Sequence, residues 1–146
     1  MVCDIHGYME IRKEGGWEIH KAAKEELDDW TTPSAFDARN YTIFGLLTNG
    51  EVRRDCPFDL EEPRGIPDDA TQFTLDEYGD GYDYHTASYI TLAEAREMLR
   101  IVTKVSILDA SINPSDWVDT AKFIVDSFPE HKGDPEDLRV VFWFDN

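Results

Sequence analysis

The sequence predicts an α+β fold for residues 1–146, a single domain in which one antiparallel or mixed β-sheet is covered on one face by about three helices. Two observations predict this class. A strand-like alternation of apolar and polar residues occurs near both ends of the chain, and helical periodicity occurs between them. With 41% hydrophobic and 12% aromatic residues, the chain can form a core despite its high charge.

The N-terminal third predicts a hairpin followed by a short helix. In residues 2–12 every second residue, beginning with Cys3, is apolar or small, which is typical of a half-buried strand. The turn Glu14-Gly15-Gly16 allows residues 17–22 to return as the antiparallel partner. Asp37 is then the predicted N-cap of a helix that ends at Asn49-Gly50.

The last third predicts two helices and a final strand. Thr91 and Glu94 have the spacing of a capping box, and they open a predicted helix over residues 92–105. Asn113, which proline follows, opens a second helix. Residues 138–144 are apolar on one face and partly apolar on the other, which predicts a central strand with the N- and C-terminal strands in the same sheet.

The acidic charge is concentrated in the middle of the chain. The formal net charge is −17, and between Asp55 and Glu94 there are eleven acidic residues against one basic residue, Arg64. Residues 51–83 are also rich in proline and glycine, and they predict one long, irregular acidic loop. Because nucleic-acid binding needs clustered lysine and arginine, this composition argues against direct binding to DNA or RNA.

No targeting or membrane-spanning pattern is present in the sequence. The N-terminus lacks a basic region followed by an apolar stretch, and no run approaches the roughly 18 apolar residues of a membrane span. We therefore expect a cytoplasmic protein without a membrane partner. Cys3 and Cys56 are too few for a disulfide scaffold or a four-cysteine zinc site, so free thiols are expected.

Two Asp-x-His pairs, Asp4 with His6 and Asp83 with His85, are the first candidate chemistry. Residues two apart in a strand share a face, so each pair can present a carboxylate and an imidazole together. If the two segments are neighbours, all four side chains could hold Zn²⁺ or Mn²⁺, whose bound water would be a nucleophile. Without a metal, the two histidines could act as general base and acid. The alternative is that these residues are only structural or lie on the surface.

Arginines, tyrosines and a serine are the candidate ligand-binding residues. Arg39 and Arg64 could stabilise a phosphate, although Arg64 could equally pair with Asp68 or Asp69. Tyrosines including Tyr84 surround His85 in the sequence, and Ser88 adds a hydroxyl. That composition is suited to stacking a base and binding a ribose or phosphate, and it is equally suited to an apolar rim over the sheet.

Four motifs resemble a family of small acidic bacteriophage proteins of uncharacterised activity. They are Cys3-Asp4-Ile5-His6, Arg39-Asn40-Tyr41, Arg64-Gly65-Ile66-Pro67-Asp68-Asp69 and Asp83-Tyr84-His85-Thr86-Ala87-Ser88, within residues 3–94. Thr86 stands where the family usually has serine. The resemblance implies a phage origin and the following polar residues as a shared site: Asp4, His6, Arg39, Asn40, Tyr41, Arg64, Asp69, Asp83, His85 and Ser88.

Three functions are predicted from these observations. The favoured one is a phage counter-defence factor that binds a nucleotide immune signal, with hydrolysis by a phosphodiesterase reaction as an extension of the same site. His6 and His85 would be acid and base, Arg39 and Arg64 phosphate ligands, and Tyr41 or Tyr84 the stacking partner. The alternatives are an acidic nucleic-acid mimic that binds a basic host protein, such as a nuclease or restriction or CRISPR effector, and an interaction module without chemistry.

Overall fold

The structure is a computed structural model that describes residues 3–20, 36, 39–79 and 81–146. Within these residues it has an α+β fold, as predicted, with one antiparallel sheet of four strands. The strands are β1 (Ile5–Lys13), β2 (Gly16–Ile19), β3 (His85–Thr91) and β4 (Leu138–Phe144), in the order β2-β1-β4-β3. The helices are α1 (Tyr41–Thr48), α2 (Gln72–Gly79), α3 (Leu92–Leu108) and α4 (Pro114–Asp126), and a 3₁₀ turn spans Pro135–Asp137.

The two terminal strands form the centre of the sheet. β4 pairs with β1 from Ile5 opposite Phe144 to Ile11 opposite Leu138, and it pairs with β3 on its other side. Every residue of β4 is buried, which confirms the prediction of a central strand. The predicted hairpin is also present, with β1 and β2 joined at Lys13 opposite Gly16. The predicted return strand extended to residue 22, but residues 21 and 22 lie outside the described residues.

The first helix begins at a different cap from the predicted one. Asp37 lies outside the described residues, and α1 begins after Asn40, whose side-chain oxygen accepts a hydrogen bond from the Thr42 backbone N–H at 3.0 Å. The helix ends as predicted, at Asn49 in the left-handed conformation. Gly45 lets α1 approach the chain that follows, because a Cβ at this position would lie 2.6 Å from the Arg54 carbonyl oxygen.

The predicted irregular segment contains a helix that its sequence pattern does not predict. Residues 51–71 are irregular, but α2 occupies residues 72–79. Only Thr74 of this helix is fully buried, and its hydroxyl donates a hydrogen bond to the carboxylate of Glu10. Because the inward side of α2 is polar at this point, its sequence lacks the apolar stripe that predicts an amphipathic helix.

The two predicted C-terminal helices are present. Thr91 and Glu94 form the capping box of α3, because the side chain of each accepts a hydrogen bond from the backbone N–H of the other. The helix continues to Leu108, slightly beyond the predicted end. Asn113 caps α4, with proline in the first turn as expected. Together with α1, these helices cover one face of the sheet and contribute to its main hydrophobic core.

The second face of the sheet is covered as well, which differs from the prediction of helices on one face. Trp143 is 1% exposed on this face, and the aromatic rings of Tyr8, Tyr78 and Tyr84 pack around it with centroids 5.2–5.7 Å away. Tyr78 belongs to α2, so α2 covers the opposite face of the sheet from α1, α3 and α4. The polar side of β1 therefore faces a second, smaller cluster rather than open solvent.

Candidate functional site

One corner of the sheet brings together several of the predicted site residues. We call it the His6 corner and define it by Asp4, His6, Arg39, Tyr84 and Asp145. His6 Nε2 and Asp145 Oδ2 are hydrogen-bonded at 2.8 Å, and Asp145 Oδ1 accepts the Asp4 backbone N–H at 2.9 Å. Burial tends to raise the pKa of Asp145, but the hydrogen bonds from His6 and Asp4 outweigh it, so this pKa lies below its usual value.

The other members of the His6 corner add an aromatic ring and a cation. The Tyr84 ring lies 5.2 Å from the His6 ring between centroids. Arg39 donates from Nε to Asp4 Oδ1 at 2.5 Å, and both side chains of this ion pair are exposed. The corner therefore presents a carboxylate–imidazole pair beside an aromatic face and an exposed guanidinium.

The two histidines do not meet, and the predicted four-ligand metal set is not formed. His6 lies opposite Trp143 and His85 opposite Phe144, which are consecutive residues of β4. Consecutive strand residues point to opposite faces, so the two imidazoles lie on opposite faces of the sheet. Within the described residues, no group of three or more histidine, cysteine or acidic side chains is arranged to hold a metal ion.

The neighbours of His85 and Asp83 differ accordingly. His85 lies near Phe144, with ring centroids 6.2 Å apart, and its Nδ1 is 2.8 Å from the hydroxyl of Thr86. Thr86 has a positive φ of 54° at an irregularity in β3. Asp83 is exposed and lines an open cleft at the His6 corner together with Tyr84. Of the second Asp-x-His pair, only the carboxylate therefore lies at the cleft that Asp4 and Asp145 also line.

Arg64 is held by its own protein rather than left free for a phosphate. Its guanidinium binds both carboxylate oxygens of Glu94 at 2.9 Å and also donates to the Tyr89 carbonyl oxygen. The same group stacks 4.0 Å from the Tyr89 ring centroid. The prediction of an ion pair for Arg64 is correct in kind, but the partner is Glu94 rather than Asp68 or Asp69.

The pKa values of this pair move apart. Burial favours the neutral form of both groups, but their hydrogen bond and opposite charges outweigh burial. The pKa of Glu94 is therefore lowered and that of Arg64 raised. A two-pronged guanidinium–carboxylate pair is the strongest of the common ion-pair geometries, so an incoming anion would have to compete with it.

Four further predicted ligand residues have structural contacts. Asn40 caps α1, and Tyr41 begins that helix with its ring 5.1 Å from Phe44. Ser88 is 2% exposed and its hydroxyl accepts the Arg64 backbone N–H at 3.0 Å. Asp69 accepts hydrogen bonds from Arg139 and from the Trp17 indole.

A buried ion pair was not recognised from the sequence. Glu10 is 0% exposed and Arg139 is 3% exposed, and they lie directly opposite one another on β1 and β4. Arg139 Nε donates to Glu10 Oε1 at 2.9 Å, and Glu10 Oε2 accepts from the Thr71 N–H and the Thr74 hydroxyl. The available signal was one arginine inside an otherwise apolar strand, since such a residue needs a buried partner.

The connection between α1 and α2 carries a set of exposed carboxylates that we call the acidic strip. Its members are Asp55, Asp59, Glu61, Glu62 and Asp68, and all five residues are exposed. None of them forms an ion pair with another described residue. The strip is therefore a concentration of negative charge whose members form no ion pair in the part of the chain that the structure describes, although Glu61 lies close enough to Arg64 to attract it.

Comparisons with models of protein families, with curated proteins and with solved structures found no match to this chain. No helix among the described residues is long and apolar enough to cross a membrane.

Proposed function

We propose that this protein is an acidic binding factor that occupies the basic, nucleic-acid-binding surface of a partner protein. The observation that carries the proposal is the acidic strip, five exposed carboxylates without ion-pair partners among the described residues. A surface of this kind is complementary to a groove that normally neutralises phosphates. Resemblance to bacteriophage proteins suggests a nuclease or restriction enzyme of the bacterial host as the partner.

The contacts of Arg39 and Arg64, the two predicted phosphate ligands, favour binding to a cation over binding to an anion. Arg64 is bound to Glu94 on two oxygens and stacked on Tyr89, and Arg39 is bound to Asp4. Neither guanidinium is free to receive a phosphate without breaking its present ion pair. The net charge of −17 also opposes the approach of an anion and accelerates the approach of a basic protein.

Capture of a partner tests this function. The protein is immobilised, a bacterial lysate is applied at low salt, and bound proteins are eluted with duplex DNA and identified. We expect elution of a DNA-binding protein by duplex DNA, because both ligands would occupy one groove. Proteins that resist duplex DNA but leave the column in detergent would contradict the proposal.

Two charge-matched variants make this test specific. The strip variant carries Asp59→Asn, Glu61→Gln and Glu62→Gln, and the control variant carries three equivalent changes at exposed acidic residues of α4 and just after it: Asp119→Asn, Asp126→Asn and Glu130→Gln. Both variants change the net charge equally. We expect the strip variant to lose capture and the control variant to retain it, whereas equal behaviour of the two would assign binding to overall charge alone.

Nucleotide binding at the His6 corner is a second candidate function. The observation in its favour is that His6, hydrogen-bonded to Asp145 at 2.8 Å, lies beside the Tyr84 ring and near the cleft that Asp4 and Asp83 line. A base could stack on Tyr84, and the exposed ion pair of Arg39 contributes little enough to yield to a phosphate. His6 would then be the acid or base of a hydrolytic reaction. The biological role of this function would be counter-defence, in which the protein removes a nucleotide signal of the host.

A thermal-shift panel tests the second candidate. The protein is heated with cyclic and linear nucleotides, with and without Zn²⁺ or Mn²⁺. Stabilisation that is lost in His6→Ala but retained in the strip variant would support nucleotide binding. If no nucleotide in the panel raises the Tm, nucleotide binding at the His6 corner is ruled out.

A further inference from the structure

A groove lies between α1 and α3, beside the outer strand β3. Its volume is about 460 Å³, within the range of roughly 300–1,000 Å³ that is usual for ligand sites. The apolar residues that line it come from α1, the connection between α1 and α2, β3 and α3: Leu46, Leu47, Leu60, Ile90, Met98 and Ile101. We call it the α1–α3 groove.

Carboxylates line the same groove, but they are not equivalent. Glu94 is bound to Arg64 and Glu97 is bound to Arg100, so their charges are largely compensated. Asp59 and Glu61 also line the groove and belong to the acidic strip, without an ion pair to a described residue. Arg64 lines the groove too and attracts Glu61, but its ion pair is with Glu94. The groove therefore combines an apolar floor with two exposed carboxylates, Asp59 and Glu61, along one edge.

We propose that the α1–α3 groove receives the apolar face of a basic amphipathic helix of the partner protein, an inference that rests on the proposed function. Apolar side chains spaced three and four residues apart on the helix would enter the groove, as in other helix-in-groove complexes. Lysine or arginine residues flanking that stripe would lie beside Asp59 and Glu61. The acidic strip would thus attract the partner, and the groove would select the helix that it holds.

Charge complementarity decides between this occupant and a second copy of the chain. A second copy would bring another net charge of −17 against the same acidic edge, which like-charge repulsion opposes. A basic helix contributes the opposite sign at that edge. The residues of the groove that carry no charge then supply the contact that does not weaken with salt.

A defined peptide tests the groove independently of any natural partner. The probe is a fluorescein-labelled helix of leucine and lysine, about 18 residues or five turns long, with leucines on one face. A scrambled peptide of the same composition is the control, and fluorescence anisotropy gives the affinities. We expect the amphipathic peptide to bind at least about tenfold more tightly than the scrambled one, because only the former presents a continuous apolar face.

Matched variants of α3 locate the binding. Ile101→Ser removes an apolar side chain from the groove, whereas Ile107→Ser changes a residue on the same helix that is 78% exposed and does not line the groove. We expect Ile101→Ser to weaken peptide binding about tenfold or more and Ile107→Ser to leave it nearly unchanged. Ile90→Thr keeps a β-branched residue in β3 and should weaken peptide binding in the same way. With two groove variants, the test does not depend on the correct folding of either one alone.

The outcomes separate this inference from the proposed function. If both peptides bind equally, or if Ile101→Ser and Ile107→Ser behave alike, the groove is not a helix site. If Ile101→Ser abolishes peptide binding but duplex DNA elutes no captured protein, the groove is a helix-binding site and the proposed nucleic-acid mimicry is wrong. Self-association of the wild type that Ile101→Ser abolishes would show that a second copy is the occupant, and would overturn the inference.

Discussion

Replacing Arg139 by methionine tests the buried ion pair that ties β1 to β4. The Arg139 side chain is 4% exposed, and its guanidinium lies 2.7 Å from Glu10 Oε1. Glu10 is itself 0% exposed. In Arg139→Met, Oε2 keeps its hydrogen bonds from Thr71 and Thr74, but Oε1 loses its cation in a site without water access.

The expected loss follows from this geometry. Removing one partner of a buried ion pair typically costs about 3–5 kcal/mol, because the other charge stays buried without compensation. The second partner of Arg139 is Asp69, whose side chain is 65% exposed, so that contact adds little. For a domain of this size the loss corresponds to a fall in Tm of very roughly 10–20 °C.

Urea unfolding at neutral pH measures this change in the free energy of unfolding. Arg12→Met is the matched control, because Arg12 lies on the same sheet but forms an exposed pair with Asp137, which is expected to contribute less than about 1 kcal/mol. The double variant Glu10→Gln with Arg139→Met should recover part of the lost stability, since it removes both buried charges and keeps an amide oxygen to accept from Thr71 and Thr74. If Arg139→Met costs no more than Arg12→Met, the buried charge of Glu10 does not depend on Arg139 for its stability.

Three further predictions concern α1 and α3. Gly45→Ala should lower the free energy of unfolding by about 1–3 kcal/mol, since its Cβ would lie 2.6 Å from the Arg54 carbonyl oxygen and α1 must shift; urea unfolding measures it. Thr91→Ala should cost about 1 kcal/mol through loss of the α3 cap, with the helix signal in circular dichroism followed on heating. Because the pKa of folded Glu94 lies below its usual 4.5, its ionisation contributes stability above that pH and loses it as the pH falls toward the folded value. The stability difference between wild type and Glu94→Gln, measured by urea unfolding at several pH values, should therefore shrink in acid.

Specific outcomes would contradict these three predictions. Gly79 has open space around the position of a Cβ, so Gly79→Ala should not destabilise the protein; equal losses at Gly45 and Gly79 would show that the close approach of α1 is not the cause. A Thr91→Ser variant should retain most of the cap, and a loss as large as that of Thr91→Ala would refute the capping argument. A difference between wild type and Glu94→Gln that grows in acid would have the wrong sign for a lowered pKa.

The fold was predictable from the sequence wherever buried apolar residues recur at the spacing of a strand or a helix. β4 and α3 have continuous apolar patterns because their inward residues meet the hydrophobic core. α2 was not predictable in this way, since its one fully buried residue, Thr74, meets the carboxylate of Glu10, and its aromatic contacts with the sheet come from the partly exposed Phe73 and Tyr78. The hydrophobic period is thus informative only for elements whose inward contacts are apolar.

The site was less predictable because its partners are distant in the chain. Alternation placed His6 on one face of β1, but its carboxylate partner Asp145 is 139 residues away. The same alternation could not assign His85 to a face relative to His6, since that depends on the register of β3 with β4. For Arg64 the sequence suggested nearby acids, whereas the fold supplies Glu94 from the start of α3.

Binding of the basic partner by the acidic strip is measured by the affinity of the purified captured partner for the strip variant. Calorimetric titration at about 50 mM and about 200 mM salt would compare wild type, the strip variant and the charge-matched control variant. We expect the strip variant to bind at least about tenfold more weakly than the control variant at low salt, and the wild-type affinity to fall steeply with salt. Equal affinities for the two variants, or a wild-type affinity that does not change with salt, would contradict it.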